Sequence, residues 1–283
     1  MLNNWKFYII TYLIISVLFN QTYKIVTKSI KNDGAMTILI QLIASIICVI
    51  MIPLFKIKFP NDYKVYIFLF IAIVFYTLND RLGTTARKGL ESSTYIILKQ
   101  LSPAFMILMG ILFFKEPFVL NKILGTLLIL YSNILVFYNR RNFKFNKYLI
   151  FGILANISLA IALFIDVNYS NEFNLAFYVL LTFLIPCILI FIFERIKIKD
   201  IILEYKNSNK MAVILTSISW VIMMISKLKS YQLGSVIVVA TLSSLTVILI
   251  VVISYFFLKE KNNLIKKIIA GILIIIGIIL IKI

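Results

Sequence analysis

Three ionisable side chains interrupt otherwise apolar runs: Asp80 and Arg81 in one run, Lys99 in the next. A charge at membrane depth is costly and marks a candidate functional site. If the two runs form a hairpin turning near Gly89, Asp80 lies nine residues before the turn and Lys99 ten after it. At about 1.5 Å per helical residue, both sit roughly 13–15 Å from the turn, near the middle of a ~30 Å hydrocarbon core. Equal depth on adjacent antiparallel helices lets Asp80 and Lys99 meet. Tyr76, Asp80 and Thr84 share one helix face, and Glu91, Tyr95, Lys99 and Ser102 share a face of the next. Arg81 is about 100° around from Asp80, with Thr77, Thr85 and Lys88. This polar stripe is expected to line a substrate path, with Arg81 or Lys99 binding an anionic group such as a carboxylate. Two plainer readings stay open. Asp80 and Lys99 could be a neutralised pair that only fixes helix packing, or the third run could end near Thr77 and leave Asp80, Arg81, Arg87 and Lys88 in a solvated loop.

The second half of the chain carries Met224 and Ser243 where Asp80 and Lys99 would align, so a charged site is asymmetric. Trp220, Ser243 and Ser244 complete the substrate-binding candidates with Tyr76, Asp80, Arg81, Tyr95 and Lys99. Asn20, Gln21, Gln41, Asn156, Asp166 and Thr241 are milder polar interruptions, more often helix-to-helix hydrogen-bonding groups than ligands; Asp166, near a helix end, is expected at the interface.

Other chemistries are excluded by type. There is no histidine, the commonest catalytic base and metal ligand. Cys48 and Cys187 lie deep in apolar runs and offer neither a disulfide framework nor a metal motif. The eleven acidic residues never cluster, and no G-x-x-x-x-G-K-[ST] phosphate loop occurs. No catalytic residue, metal or cofactor is expected, and the chain does not read as an enzyme.

The scaffold is a membrane scaffold. Of the 283 residues 62% are hydrophobic and 14% charged, with mean hydropathy +1.03, beyond what a soluble domain reaches. The formal charge of +18 comes from lysines and arginines flanking apolar runs, so the partner it implies is the lipid bilayer rather than nucleic acid. Lys6 precedes the run from Phe7 to Leu18 without a small-residue cleavage site, which reads as a first span and not a signal peptide. Spans are predicted at about Phe7–Tyr23, Ala35–Phe55, Val65–Thr85, Glu91–Phe114, Val119–Phe137, Tyr148–Val167, Leu175–Phe193, Met211–Ser226, Leu233–Leu258 and Ile265–Ile281.

The chain repeats itself. Tyr95 to Phe137 and Val238 to the C-terminus share an apolar run, a phenylalanine-rich end, a Lys-Glu pair (Lys115-Glu116, Lys259-Glu260), a turn and a second run holding Gly125 or Gly271. Earlier in each half, Cys48 precedes Lys56-Ile57-Lys58 and Cys187 precedes Arg195-Ile196-Lys197 at the same spacing. The reading is an all-α membrane protein of about ten transmembrane helices in two five-helix repeats, residues 1–143 and 144–283, joined by the basic linker Asn139–Asn146. Five spans per unit force the second copy into the membrane upside down. The Lys-Glu pairs suit caps or gate contacts, and Pro103 is expected to kink the fourth span.

On these pieces, with Leu101-Ser102-Pro103, Leu233-Gly234-Ser235 and Leu242-Ser243-Ser244-Leu245, the chain resembles the drug/metabolite transporter superfamily, specifically its EamA-like ten-span members. It departs from the pattern at Val247, which stands where Pro103 would be matched, and in the longer stretch from Glu260 to Gly271. The resemblance implies a secondary transporter of small metabolites in the plasma membrane, importing or exporting by alternating access through a central cavity walled by both halves. A flippase of a lipid or lipid-linked sugar is the alternative. The resemblance also implies cytoplasmic termini, whereas the positive-inside rule alone places the opposite face in the cytoplasm; an inverted duplication weakens that rule, so the resemblance is preferred. Monomer and homodimer stay open.

Overall fold

The computed structural model describes residues 4–113, 120–137, 146–259 and 264–282. Among them every regular element is helical. The first half contains α1 (Trp5–Thr27), α2 (Asp33–Met51), α3 (Tyr63–Gly89), α4 (Ser92–Leu98), α5 (Leu101–Phe113) and α6 (Leu120–Phe137). The second contains α7 (Lys147–Tyr169), α8 (Leu175–Phe193), α9 (Ile198–Asn207), α10 (Lys210–Leu233), α11 (Val236–Ser243), α12 (Thr246–Phe257) and α13 (Leu264–Lys282). Among the described residues eight segments are long and apolar enough to cross a bilayer, counting α4–α5 and α11–α12 as one each. With the apolar helices α6 and α13 they make the ten spans, and the short helix α9 is not a span. Outward faces carry Ile10, Ile14 and Leu18 on α1, Ile46 and Ile50 on α2, and Ile67 and Phe70 on α3, the composition lipid requires.

The helix starts repeat as the spans do. Asn4, Asn32 and Asp62 cap α1, α2 and α3, their side-chain oxygens accepting from Lys6, Ala35 and Lys64 backbone N–H groups. Asn146, Asn174 and Asn209 do the same for α7, α8 and α10, accepting from Tyr148, Phe177 and Ala212. Each such cap is worth about 1 kcal/mol.

Packing follows the duplication. The most extensive contacts are α3 with α7, α1 with α10, α6 with α13 and α2 with α8. Exchanging the repeats turns the first of these pairs into the second and returns each of the others to itself, as a two-fold axis in the membrane plane demands. The α3–α7–α4 region is tight because small residues let backbones approach. A Cβ on Gly152 of α7 would stand 2.8 Å from Leu98 Cδ1 and 3.6 Å from the Ala86 Cβ.

The fourth and ninth spans are both broken. Lys99 and Gln100 turn between α4 and α5, and Ser244 and Leu245 turn between α11 and α12. The break comes just before Pro103, which occupies the first turn of α5, where its missing N–H removes no helical hydrogen bond. The ninth span breaks with Val247 in place of a proline, so proline is not what the break requires.

Several boundaries differ from the sequence expectation. Helix α3 continues to Gly89 as one helix, which disposes of a solvated loop after Thr77. Helix α10 continues beyond Ser226 to Leu233, carrying Lys227 and Lys229 into the span. Lys115, Glu116 and Glu260 lie outside the described residues. Lys259 has left-handed backbone, φ 56°, just past the end of α12, as Arg195, φ 52°, has past α8.

Gly152→Val is expected to force Leu98 or α7 outward and to destabilise the protein by about 1–3 kcal/mol, read as a lower melting temperature of the purified protein in detergent. An unchanged melting temperature would mean that the α3–α4–α7 contact is looser than described.

Candidate functional site

Four buried charged side chains, Asp80, Arg87, Lys99 and Lys227, line one cavity. That cavity is walled by Tyr12, Phe19 and Tyr23 of α1, Asn79, Asp80, Gly83 and Arg87 of α3, Tyr95 of α4 and Lys99 at the first helix break. Leu159 and Leu163 of α7 and Trp220, Met223, Met224 and Lys227 of α10 close it from the second repeat. Its volume is about 40 Å³, room for a few water molecules, so the walls are nearly closed on each other.

Arg87 is 7% exposed and is the most elaborately held of these groups. Its Nη1 donates to Asn20 Oδ1 at 2.8 Å, and its guanidinium carbon lies 4.0 Å from the Tyr95 ring centre, 4.7 Å from Tyr23 and 5.1 Å from Phe19. Aromatic faces attract a cation without neutralising it. Phe19 and Tyr23 in turn lie against Trp220, which meets Phe183 edge-on at 4.9 Å. The Arg87 backbone is pinned as well, since Lys24 Nζ donates to its carbonyl at 2.8 Å and also to Leu90 O.

Lys99 and Lys227 are buried too, and Lys227 Nζ stands 5.4 Å from the Tyr12 ring centre. Among the described residues no ion pair engages Arg87, Lys99 or Lys227. The cavity's one carboxylate is Asp80, which accepts from Gln41 Nε2 at 2.8 Å and Asn79 Nδ2 at 2.7 Å. Asp80 and Lys99 therefore share a cavity, as the hairpin depth implies, but neutral amides hold the carboxylate and the expected pair does not form. Three cations against one carboxylate leave the cavity with an excess of positive charge.

The other candidates divide by position. Tyr95 and Trp220 line the cavity. Ser243 lines a small pocket beside it, with Lys99 and Lys227. Ser244 is buried at the second break without lining either space. Tyr76 is turned elsewhere, donating to one oxygen of Asp166 while Tyr178 donates to the other at 2.6 Å. Asp166, expected at the interface, is thus fully enclosed. Arg81 does not face the cavity; it pairs with Glu194 and donates to Thr85 Oγ1 at 2.6 Å.

Arg87 and Lys227 escape a reading of apolar runs because each lies past the point where its run looks finished. The signal that could have found Arg87 is its i–4 spacing from Gly83, one residue off the Tyr76-Asp80-Thr84 stripe; for Lys227 it is the i+7 spacing from Trp220.

Both mouths of the cavity are bridged between repeats. On the face away from the termini, Glu204 Oε1 accepts from Lys31 N at 3.0 Å and Asn32 N at 2.6 Å and Arg81 pairs with Glu194, while within the first repeat Lys88 pairs with Asp33 at 2.9 Å. On the terminal face, Asn174 donates from its backbone to Lys58 O at 2.7 Å and from Nδ2 to Ile52 O and Phe55 O. Asn32 and Asn174 are the equivalent caps of α2 and α8, so the two closures are related by the repeat.

The model of the EamA-like transporter family matches residues 7–138 and again residues 146–283. The chain belongs to the EamA-like transporter family. It is an integral multi-pass membrane protein and a membrane transporter of small molecules. A solved crystal structure with 14% sequence identity superposes with a TM-score of 0.68 over 96% of this chain and 94% of that one, which shows a shared fold. No curated protein matches the chain.

The enclosed carboxylate gives a local test. Tyr178→Phe removes one of two donors to Asp166 and is expected to cost about 1–3 kcal/mol of stability, more than Tyr131→Phe on an exposed site of α6. Equal melting temperatures for the two variants would show that Asp166 does not depend on Tyr178.

Proposed function

We propose that this EamA-like transporter is a secondary-active carrier of small organic anions in the plasma membrane, working by alternating access through the central cavity. The observation that carries the reading is the unpaired positive charge: Arg87, Lys99 and Lys227 face one enclosed space that holds a single carboxylate. Buried cations are stabilised by a counter-charge, and breaking a buried pair is costly because it strands the partner. A carboxylate- or phosphate-bearing solute supplies that counter-charge when it enters. Arginine offers it a planar two-pronged donor and lysine a point charge, the two donors best suited to such groups. Trp220, Phe19 and Tyr23 offer an apolar or aromatic body surface beside them.

The bridges at the two mouths support alternating access. Both are formed at once here, with the cavity nearly closed, as an occluded intermediate requires. Opening towards the face away from the termini needs Glu204 to release Lys31 and Asn32, and opening towards the other needs Asn174 to release the loop at Ile52–Lys58. Nothing in this geometry favours a lipid or lipid-linked sugar as cargo.

The test is ligand-dependent stabilisation of the purified protein across small dicarboxylates, oxo acids, amino acids, sugar phosphates and amines, since a ligand of the folded state raises apparent stability by mass action. Stabilisation by anions, weakened about tenfold or more in Arg87→Gln and Lys99→Gln, is the expected result. Stabilisation by amines or neutral solutes alone would sink the reading. Arg81→Gln, which disturbs a mouth and not the cavity, is expected to change the transport rate in proteoliposomes while leaving anion affinity within about twofold, the scale of a surface ion pair.

A further inference from the structure

The two helix breaks enclose a second, smaller space. Lys99, Gln100 and Ser102 reach it from the break before α5, Ser243 and Thr246 from the break before α12, and Lys227 from α10. Its volume is about 10 Å³, the room of one water or one small ion. Lys99 and Lys227 border both this pocket and the main cavity.

Three features converge on an anion. First, the first turns of two helices face the pocket: Ser102 lies in the opening turn of α5, thirteen residues long, and Thr246 opens α12, twelve residues long. Helix starts carry partial positive charge. Here the Ser102, Ala104 and Val247 N–H groups already donate to the Lys99, Gln100 and Ser244 carbonyls, so hydroxyl and ammonium groups are the donors left for a ligand. Second, the Ser102 hydroxyl is fully buried and has no partner, so its proton is available to the pocket. Ser243 and Thr246 donate instead to the carbonyls of Val239 and Ser243. Third, two buried ammonium groups border the space, and among the described residues no carboxylate pairs with either. Gln100 Oε1 is also unpartnered; being an acceptor, it suits one of the three hydrogens of a neighbouring ammonium and leaves the others for the anion.

We propose that this pocket binds one small inorganic anion of chloride size, a structural counter-ion at the crossing of the broken spans. The site shares Lys99 and Lys227 with the organic-anion cavity but does not depend on that reading. By neutralising part of the lysine charge it would hold α5, α12 and α10 together where the two repeats cross.

The experiment uses the full-length protein in nanodiscs at constant ionic strength, with sodium fluoride, whose anion is inorganic and smaller than chloride, replaced stepwise by sodium chloride and, separately, by sodium bromide. The expected result is a saturable rise in melting temperature with either halide. Ser102→Ala should weaken the apparent halide affinity about tenfold, and Lys227→Met should abolish the response. Arg87→Gln, which alters only the main cavity, should keep it. Equal melting temperatures in fluoride and chloride, a response that never saturates, or one unchanged in Ser102→Ala would each overturn the site, the last two meaning an adventitious ion only. Should Lys227→Met fail to fold, Ser102→Ala decides alone. Loss of organic-anion binding in Arg87→Gln alongside an intact halide response separates the two sites.

Discussion

The cost of holding Arg87 inside a bilayer protein governs much of this structure. A guanidinium cannot shed its proton, so burial must be offset by geometry. Asn20 supplies an acceptor, and three aromatic rings supply negative faces on separate sides. Those rings fix α1 and α4 against α3, and through Phe19 and Tyr23 they fix Trp220 of α10. One cation thus ties three spans of the first repeat to one of the second. None of its partners neutralises it, so the protein keeps a positive charge in reserve at its centre.

The same economy runs through the carboxylates. Asp80 is held by amides and Asp166 by phenols, although cations stand nearby. Had Asp80 paired with Lys99, the cavity would have lost both a negative and a positive contact point. Ion pairs occur instead near the mouths, where water lowers the cost of breaking them: Arg81 with Glu194, Lys88 with Asp33, Lys58 with Glu172. Lys267, buried against Glu91 and Ser93, is the exception, and it ties α13 to the start of α4 rather than facing the cavity.

Much of the fold is legible in the sequence because a bilayer allows so few solutions. Long apolar runs must be helices, five per unit must invert, and the family resemblance carried by Leu101-Ser102-Pro103 agrees with the family match over both halves. The Asn caps at 4, 32, 146 and 174 are a further echo of the duplication. What apolar runs cannot report is where a helix continues after its lipid-facing character ends. Arg87 lies there on the last turn of α3 and Lys227 six residues before the end of α10, both covered by neighbouring spans. Nor can helical spacing tell which of two adjacent charges turns inward: Asp80 enters the cavity while Arg81, one position around, reaches the mouth.

Inverted duplication explains the frame of the site but not its charge. The two mouth closures, the two helix breaks and the cross-repeat packing all come in matched sets. The charged groups do not: Asp80 faces Met224 and Lys99 faces Ser243 across the repeat alignment. A symmetric frame makes two conformations of similar energy attainable, and an asymmetric set of charges placed near its axis keeps roughly the same depth in both. Under the alternating access proposed above, the three cations that line the cavity would meet each side in turn as the walls move around them.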